Sequence, residues 1–143
     1  MDHVVYLDAR SDEFEKLSDG SKKMIIRGAT GRKLPYGRVG SGDVLYFINN
    51  NAEGVVKGKA LVSSVYNSDR MNPEESTALV NAHQKQLFLS DKQFRKWAGK
   101  RYLVLIEIKD FEEIDGFSID KSQYGNMDDW LPVGNIESVK RQY

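Results

Sequence analysis

The sequence contains no cysteine, only two histidines and only three prolines among its 143 residues. Without cysteine, a disulfide framework, a cysteine nucleophile and a thiolate metal site are excluded. His3 and His83 alone do not make a histidine-rich metal centre, so we expect neither a metal nor a cofactor. No apolar run approaches the roughly 18–20 residues of a membrane span, and the N-terminus lacks the pattern of a secretory signal. We therefore expect one soluble, cytoplasmic domain over residues 1–143.

The net charge is zero because 21 basic and 21 acidic residues cancel, but the two signs are unevenly distributed. The window from Gly20 to Gly42 holds no acid and six bases, namely Lys22, Lys23, Arg27, Arg32, Lys33 and Arg38. The rest of the chain carries a net charge of −6. We interpret the basic window as an anion-binding face. The alternative is ordinary solvated surface, because six cations alone are not diagnostic.

Short β-branched and aromatic runs predict the strands of the fold. They cover Val4–Leu7, Lys23–Arg27, Val44–Ile48, Val55–Tyr66 and Arg101–Lys109, with weaker candidates at Phe117–Asp120 and Leu131–Val133. Gly28–Gly42 is predicted to be a long loop, which in a compact domain is usually functional or mobile.

Three segments are predicted to be helical. Ser11–Leu17 is a short amphipathic helix, and two capping boxes, Asn72/Glu75 and Ser90/Gln93, begin a helical pair. The element order predicts an α+β protein: a small, partly open antiparallel β-barrel with a short N-terminal helix and a helical insertion between strands. A Rossmann or P-loop fold is excluded because no strand–helix alternation surrounds a glycine-rich phosphate turn.

The segment Gly20–Arg27 resembles the Gly-x-Lys-x-x-Glu-x-Arg signature of the ASCH (activating signal cointegrator homology) domain, with matches at Gly20, Lys22 and Arg27. Gly42–Phe47 is similar to the Gly-Asp-plus-strand element of the PUA-like superfamily, the wider group that includes this domain. The resemblance extends over roughly residues 4–109 and implies a PUA-like barrel.

The resemblance also implies a cleft lined by the signature lysine and arginine, which binds RNA or nucleotide-like ligands. Some small family members are amidohydrolases acting on acylated cytidine-type nucleosides, and a few are reported as ribonucleases. This sequence departs from the pattern at Ile25, where the signature has Glu and the small amidohydrolases have Thr. Isoleucine can neither accept a proton nor attack a carbonyl, so this sequence lacks the polar side chain that the small amidohydrolases have at this position.

Lys22 and Arg27 are the first candidate site residues. In a cleft, Lys22 would serve as a base or nucleophile of lowered pKa, or as a point charge for phosphate; the alternative is a solvated lysine at a strand end. Arg27 would bind phosphate or a base edge, or else form an ion pair with an acidic residue. Because they are five residues apart, a regular strand would place them on opposite faces unless a bulge or a twist intervenes.

The loop that follows interleaves cations with an aromatic residue, in Arg32, Lys33, Tyr36 and Arg38. This pattern suits single-stranded nucleic acid, because cations follow phosphates while an aromatic ring stacks on a base. The alternative is a flexible solvated loop.

Further aromatic residues are candidates for stacking on a base: Tyr46, Trp97 and Trp130. The helical spacing between Phe94 and Trp97 favours a core position for Trp97. For Trp130, two alternatives stay open: packing in the core or forming the wall of a pocket. His83 is interpreted as a structural histidine.

We weigh three functions. The first is a module that binds RNA or a modified nucleotide through Gly20, Lys22, Arg27, Arg32, Lys33, Tyr36, Arg38, Tyr46 and Trp130. The second is an amidohydrolase acting on an acylated cytidine-type nucleoside, with Lys22 as the catalytic base and Glu74 or Glu75 assisting. The third is a protein-interaction domain, which predicts a large exposed apolar patch and no cleft.

Overall fold

A computed structural model describes residues 1–125 and 128–141 of the chain. Its strands and α-helices, in chain order, are β1 (Asp2–Leu7), α1 (Glu13–Ser18), β2 (Met24–Ala29), β3 (Val44–Asn49), β4 (Val55–Asn67), α2 (Pro73–Leu87), α3 (Asp91–Trp97), β5 (Tyr102–Ser118) and β6 (Trp130–Gly134). Short 3-10 helices cover Ala9–Ser11 and Ile136–Ser138. No helix within these described ranges is long and apolar enough to cross a membrane.

The six strands form one curled sheet, a half-barrel, in the order β2-β5-β4-β3-β1-β6. This confirms the expected α+β class and barrel-like form. One pairing differs from the expectation, because β1 runs parallel to β3 and the sheet is therefore mixed. The segment between these two strands, which includes α1 and β2, supplies the long crossover that a parallel pair needs.

Two apolar clusters lie on the two faces of β2. Ile25 is fully buried in the interior of the half-barrel together with Phe47 and Trp130. Met24 and Ile26 point to the other face, where they join the cluster that includes residues of α2 and α3. The isoleucine at the signature's acidic position is thus a core residue.

Several element boundaries differ from the predicted ones. β5 continues to Ser118, beyond the predicted end at Lys109, because its outer half is a polar, solvent-facing strand that pairs with β4 through register shifts. β2 extends to Ala29, so the long loop begins at residue 30. Both capping boxes are confirmed at the starts of α2 and α3. Residues 142–143 of the tail lie outside the described residues.

Gly28 is a position where β2 and β5 approach closely. A Cβ there would lie 2.6 Å from Leu103 Cδ2 and 3.1 Å from the Tyr102 carbonyl oxygen. Gly28→Ala should therefore lower the free energy of unfolding by about 1–3 kcal/mol through overpacking. Gly31→Ala, whose Cβ would meet nothing within 4 Å, is the control and should stay within about 0.5 kcal/mol. Urea denaturation measures both, and equal effects would contradict the tight packing at Gly28.

Candidate functional site

A cleft lies where β1, β2 and α3 meet. Its inner cavity of about 190 Å³ is lined by Tyr6, Glu13, Arg27, Gln93, Trp97 and Asp129, among others. A wider outer groove of about 840 Å³ shares several of these walls, including Tyr6, Trp97 and Asp129. We call the inner cavity and the outer groove together the cleft.

Arg27, on β2, is held on several sides at the back of the cleft. It is only 7% exposed. Its Nη1 donates to the Ile26 carbonyl at 2.8 Å, and its Nη2 donates to the Tyr6 carbonyl on β1 at 2.7 Å. Its Cζ lies 5.9 Å and 5.7 Å from the ring centroids of Trp97 and Trp130, within the range of cation–π attraction. Arg27 therefore links β2 to β1, from which it is separated by three strands in the sheet.

The Nε atom of Arg27 has a weaker partner. Asp129 places a carboxylate oxygen 3.1 Å away, within ion-pair distance. The N–H is nevertheless poorly directed, and Nε makes no hydrogen bond to the part of the chain that the structure describes. Arg27 thus forms an ion pair, which is the alternative to a binding role, and it also lines the inner cavity.

Trp130 is a buried residue whose ring lies next to the Arg27 guanidinium. It is 1% exposed, and its indole Nε1 donates to His3 Nδ1 at 3.0 Å. His3 Nε2 lies 2.8 Å from Asp43 Oδ2. Because an indole N–H can only donate, His3 Nδ1 must be the acceptor, and Nε2 carries the proton that is donated to Asp43. Trp130 is therefore packed behind Arg27, and its ring does not line the cleft.

Lys22 is buried and paired, with 1% exposure. Its Nζ donates to the Leu87 carbonyl at the end of α2, at 2.6 Å, and lies 3.5 Å from Glu13 Oε2. Burial lowers the pKa of Lys22 to about 8, although the carboxylate of Glu13 opposes the shift. The alternative of a solvated strand-end lysine is wrong. Lys22 is not among the residues that line the inner cavity, whereas Glu13 is.

Glu13 lies near both signature cations. It pairs with Lys22 and lines the same cavity as Arg27. Its Oε1 accepts from the backbone N–H of Asp8 at 2.8 Å, and the residue is 3% exposed. Glu13 could not be singled out from the sequence, because an acid in the first turn of a helix is usually solvated and nothing local marks this one as buried.

Lysines line the outer groove. They come from three separate segments, the long loop, the region of α3 and the residues after β5, and are Lys33, Lys96, Lys100 and Lys121. Lys96 Nζ lies 4.7 Å from the Trp97 ring and Lys121 Nζ lies 4.8 Å from the Tyr6 ring. Only Lys33 belongs to the basic window, so the tertiary fold supplies the other three.

The rest of the predicted binding loop lies away from the cleft lining. The Tyr36 hydroxyl donates to the Ser68 carbonyl at 2.6 Å, and its ring packs edge-on against Tyr102. Arg32 lies over these two rings, 5.7 Å from each centroid. Arg38 is exposed elsewhere on the loop. Tyr36 is thus a fixed anchor of the loop, because its hydroxyl and one edge of its ring are already engaged.

Other predicted residues also lie elsewhere. Gly20 forms the turn after α1, with φ +81°, and borders a separate depression. Tyr46 lines another depression with Lys59 and Glu112. Trp97, which helical spacing assigned to the core, is 7% exposed and also forms a wall of the cleft.

The carboxylates predicted to assist Lys22 are at the start of α2. Glu75 closes the capping box with Asn72, and Glu74 is exposed in the same turn. Neither lines the inner cavity, and the carboxylate that lies beside Lys22 is that of Glu13. His83 Nδ1 lies 3.0 Å from the Leu79 carbonyl on the same helix. Within residues 1–125 and 128–141, no group of three or more His, Asp or Glu side chains could hold a metal ion.

Comparison with solved structures identifies the fold. A crystal structure of the ASCH protein from Zymomonas mobilis has a TM-score of 0.65 with this chain at 18% identity, covering 99% of this chain and 96% of that one. Two mutant forms of that protein give 0.62 and 0.61 at 17% identity, and each covers 82% of this chain and 75% or 73% of its own. No family model matches the sequence, and no curated protein matches it. The chain therefore has the same fold as the ASCH protein from Zymomonas mobilis.

The buried Lys22 makes stability depend on pH. Its pKa is about 8 in the folded protein against an ordinary value of 10.5, so between these values the unfolded chain holds a proton that the folded protein has released. The free energy of unfolding should therefore rise with pH across this window, by about 1 kcal/mol per pH unit relative to Lys22→Met.

Urea denaturation at several pH values measures this difference. Lys23→Met, which removes an exposed neighbour of the same charge, is the control and should track the wild type. A constant difference between the wild type and Lys22→Met from pH 8 to 10.5 would contradict the buried, proton-releasing lysine.

Proposed function

We propose that this protein is an ASCH-domain module that binds single-stranded RNA or a modified nucleotide in the cleft. The observation that carries the proposal is the convergence of four lysines around the aromatic walls Tyr6 and Trp97. Cations along a groove follow a phosphate backbone, and aromatic walls suit a base. The resemblance to the ASCH signature supports the same ligand class.

The inner cavity is small and mixed in polarity. It combines the carboxylate of Glu13 with the amide of Gln93 and the guanidinium of Arg27. Such a set offers both hydrogen-bond acceptors and donors, as recognition of a base edge requires. We assign one nucleotide of the ligand to the inner cavity and the phosphates of its neighbours to the lysines of the outer groove.

Binding to RNA should be strongly salt-dependent. If each of the four lysines meets one phosphate, the slope of log affinity against log salt should be about −3, at about 0.7 per contact for a single strand. Lys100→Glu should weaken binding about fivefold or more and make the slope shallower by about one contact. Fluorescence anisotropy with a short labelled RNA measures both quantities.

Lys109→Glu is the matched control, because Lys109 is an exposed lysine of β5 that does not line the cleft. The same change of charge there should alter RNA affinity by about twofold at most, through long-range electrostatics that salt screens. Equal losses in the two variants would contradict binding in the cleft, and an absence of RNA binding at low salt would contradict the proposed function.

A second candidate function is hydrolysis of an acylated cytidine-type nucleoside, favoured by the buried Lys22–Glu13 pair beside the cavity. In this case Glu13 is the group that faces the substrate, and Lys22 is a positioning residue that holds its carboxylate. Chromatography of acylated cytidines incubated with the protein tests this candidate. Hydrolysis that Glu13→Gln abolishes supports it, whereas hydrolysis that persists in Glu13→Gln contradicts the assigned role.

The third alternative, a protein-interaction domain, gains little support. It predicts an extended apolar surface, but the large exposed apolar side chains of the described residues are Met1, Tyr66 and Phe88, which lie on separate parts of the fold. It also predicts the absence of a cleft, and a cleft is present.

A further inference from the structure

The carboxylate of Asp129 lies next to the Nε atom of the Arg27 guanidinium. Two of the guanidinium nitrogens are committed to backbone carbonyls of Ile26 and Tyr6. The third, Nε, is buried and makes no hydrogen bond within the described residues, although Asp129 Oδ2 is only 3.1 Å away. The Nε atom is therefore a buried donor without a well-directed acceptor, in a residue that lines the inner cavity.

We infer that Asp129 occupies the anion position of the cleft, and that a ligand phosphate must displace its carboxylate to reach Arg27. The inference rests on the proposed function, because it places the ligand in the same cleft. It adds a specificity determinant: Asp129 weakens the binding of phosphate monoesters and leaves the binding of the corresponding neutral nucleosides unaffected.

The contact has the properties of a displaceable one. The Asp129 side chain is 48% exposed, and a half-exposed ion pair contributes little to stability. The backbone of Asp129 is held separately, since its carbonyl accepts from the Tyr6 N–H at 3.0 Å. The carboxylate can therefore turn away without disturbing the strands.

Phosphate is the stronger partner for Arg27. A phosphate monoester carries more charge than a carboxylate and offers three acceptor oxygens, so it can meet the Nε–H in a better direction. Its binding must nevertheless overcome both the existing Asp129 contact and the repulsion between two anions. Removing the Asp129 charge should therefore strengthen phosphate binding rather than weaken it.

The test compares uridine 5′-monophosphate, uridine and inorganic phosphate. The two tryptophans of the chain, Trp97 and Trp130, both lie within 6 Å of Arg27, so intrinsic fluorescence reports binding at this position. Asp129→Asn should lower the dissociation constant for uridine monophosphate about tenfold and leave that for uridine unchanged. A similar gain for inorganic phosphate also supports the inference and shows that the phosphate group itself is recognised.

Asp115→Asn is the matched control. Asp115 is an exposed acid of β5 that carries the same charge and lines neither the inner cavity nor the outer groove. Its substitution should change phosphate affinity by about twofold at most, as expected for an exposed, screened charge. Thermal denaturation of both variants confirms that each is folded.

Equal gains in the two variants would overturn the inference, because they would reflect net charge alone. Unchanged or undetectable phosphate binding in Asp129→Asn would also overturn it. Failure of the proposed function is separately recognisable, since it appears as absent RNA binding by the wild-type protein, whereas the comparison of Asp129 with Asp115 uses only small phosphate ligands.

Discussion

The guanidinium of Arg27 joins parts of the half-barrel that are distant in the sheet. β2 and β1 are separated by three intervening strands, yet Arg27 on β2 donates to the Tyr6 carbonyl on β1. The same group lies between a tryptophan of α3 and a tryptophan of β6. Since an arginine keeps its charge at ordinary pH, these carbonyls and rings compensate the burial of a permanent cation. The compensation is incomplete at Nε, which makes no hydrogen bond within the described residues, and Arg27 also lines the inner cavity of the cleft.

The two signature cations lie inside the protein rather than at the opening of the cleft. Lys22 and Arg27 are both more than nine-tenths buried. Arg27 lines the inner cavity, and Lys22 contacts Glu13, which lines the same cavity. The exposed lysines that line its opening come mostly from other segments. The zero net charge of the chain hides this local concentration, which arises only in the folded protein.

Much of the fold could be predicted from local sequence, because apolar runs and capping boxes are local signals. The starts of α2 and α3 and the cores of the central strands belong to this group. The parallel pairing of β1 and the burial of Glu13 could not be predicted, since both depend on which distant segments meet. The same limit applies to Lys96, Lys100 and Lys121, which lie far from the basic window in sequence and meet Lys33 only in the tertiary structure.

The most direct test of this account is the NMR signal of the Arg27 side chain, recorded with and without single-stranded RNA. In the free protein, slowly exchanging Nη protons are expected, because each Nη donates a hydrogen bond to a backbone carbonyl. On addition of RNA, the Nε–H resonance should shift while the Nη signals stay nearly constant. Rapidly exchanging Nη protons in the free protein, or an Nε–H signal unchanged at saturating RNA, would contradict the claim that Arg27 both closes the half-barrel and presents its Nε edge to the ligand.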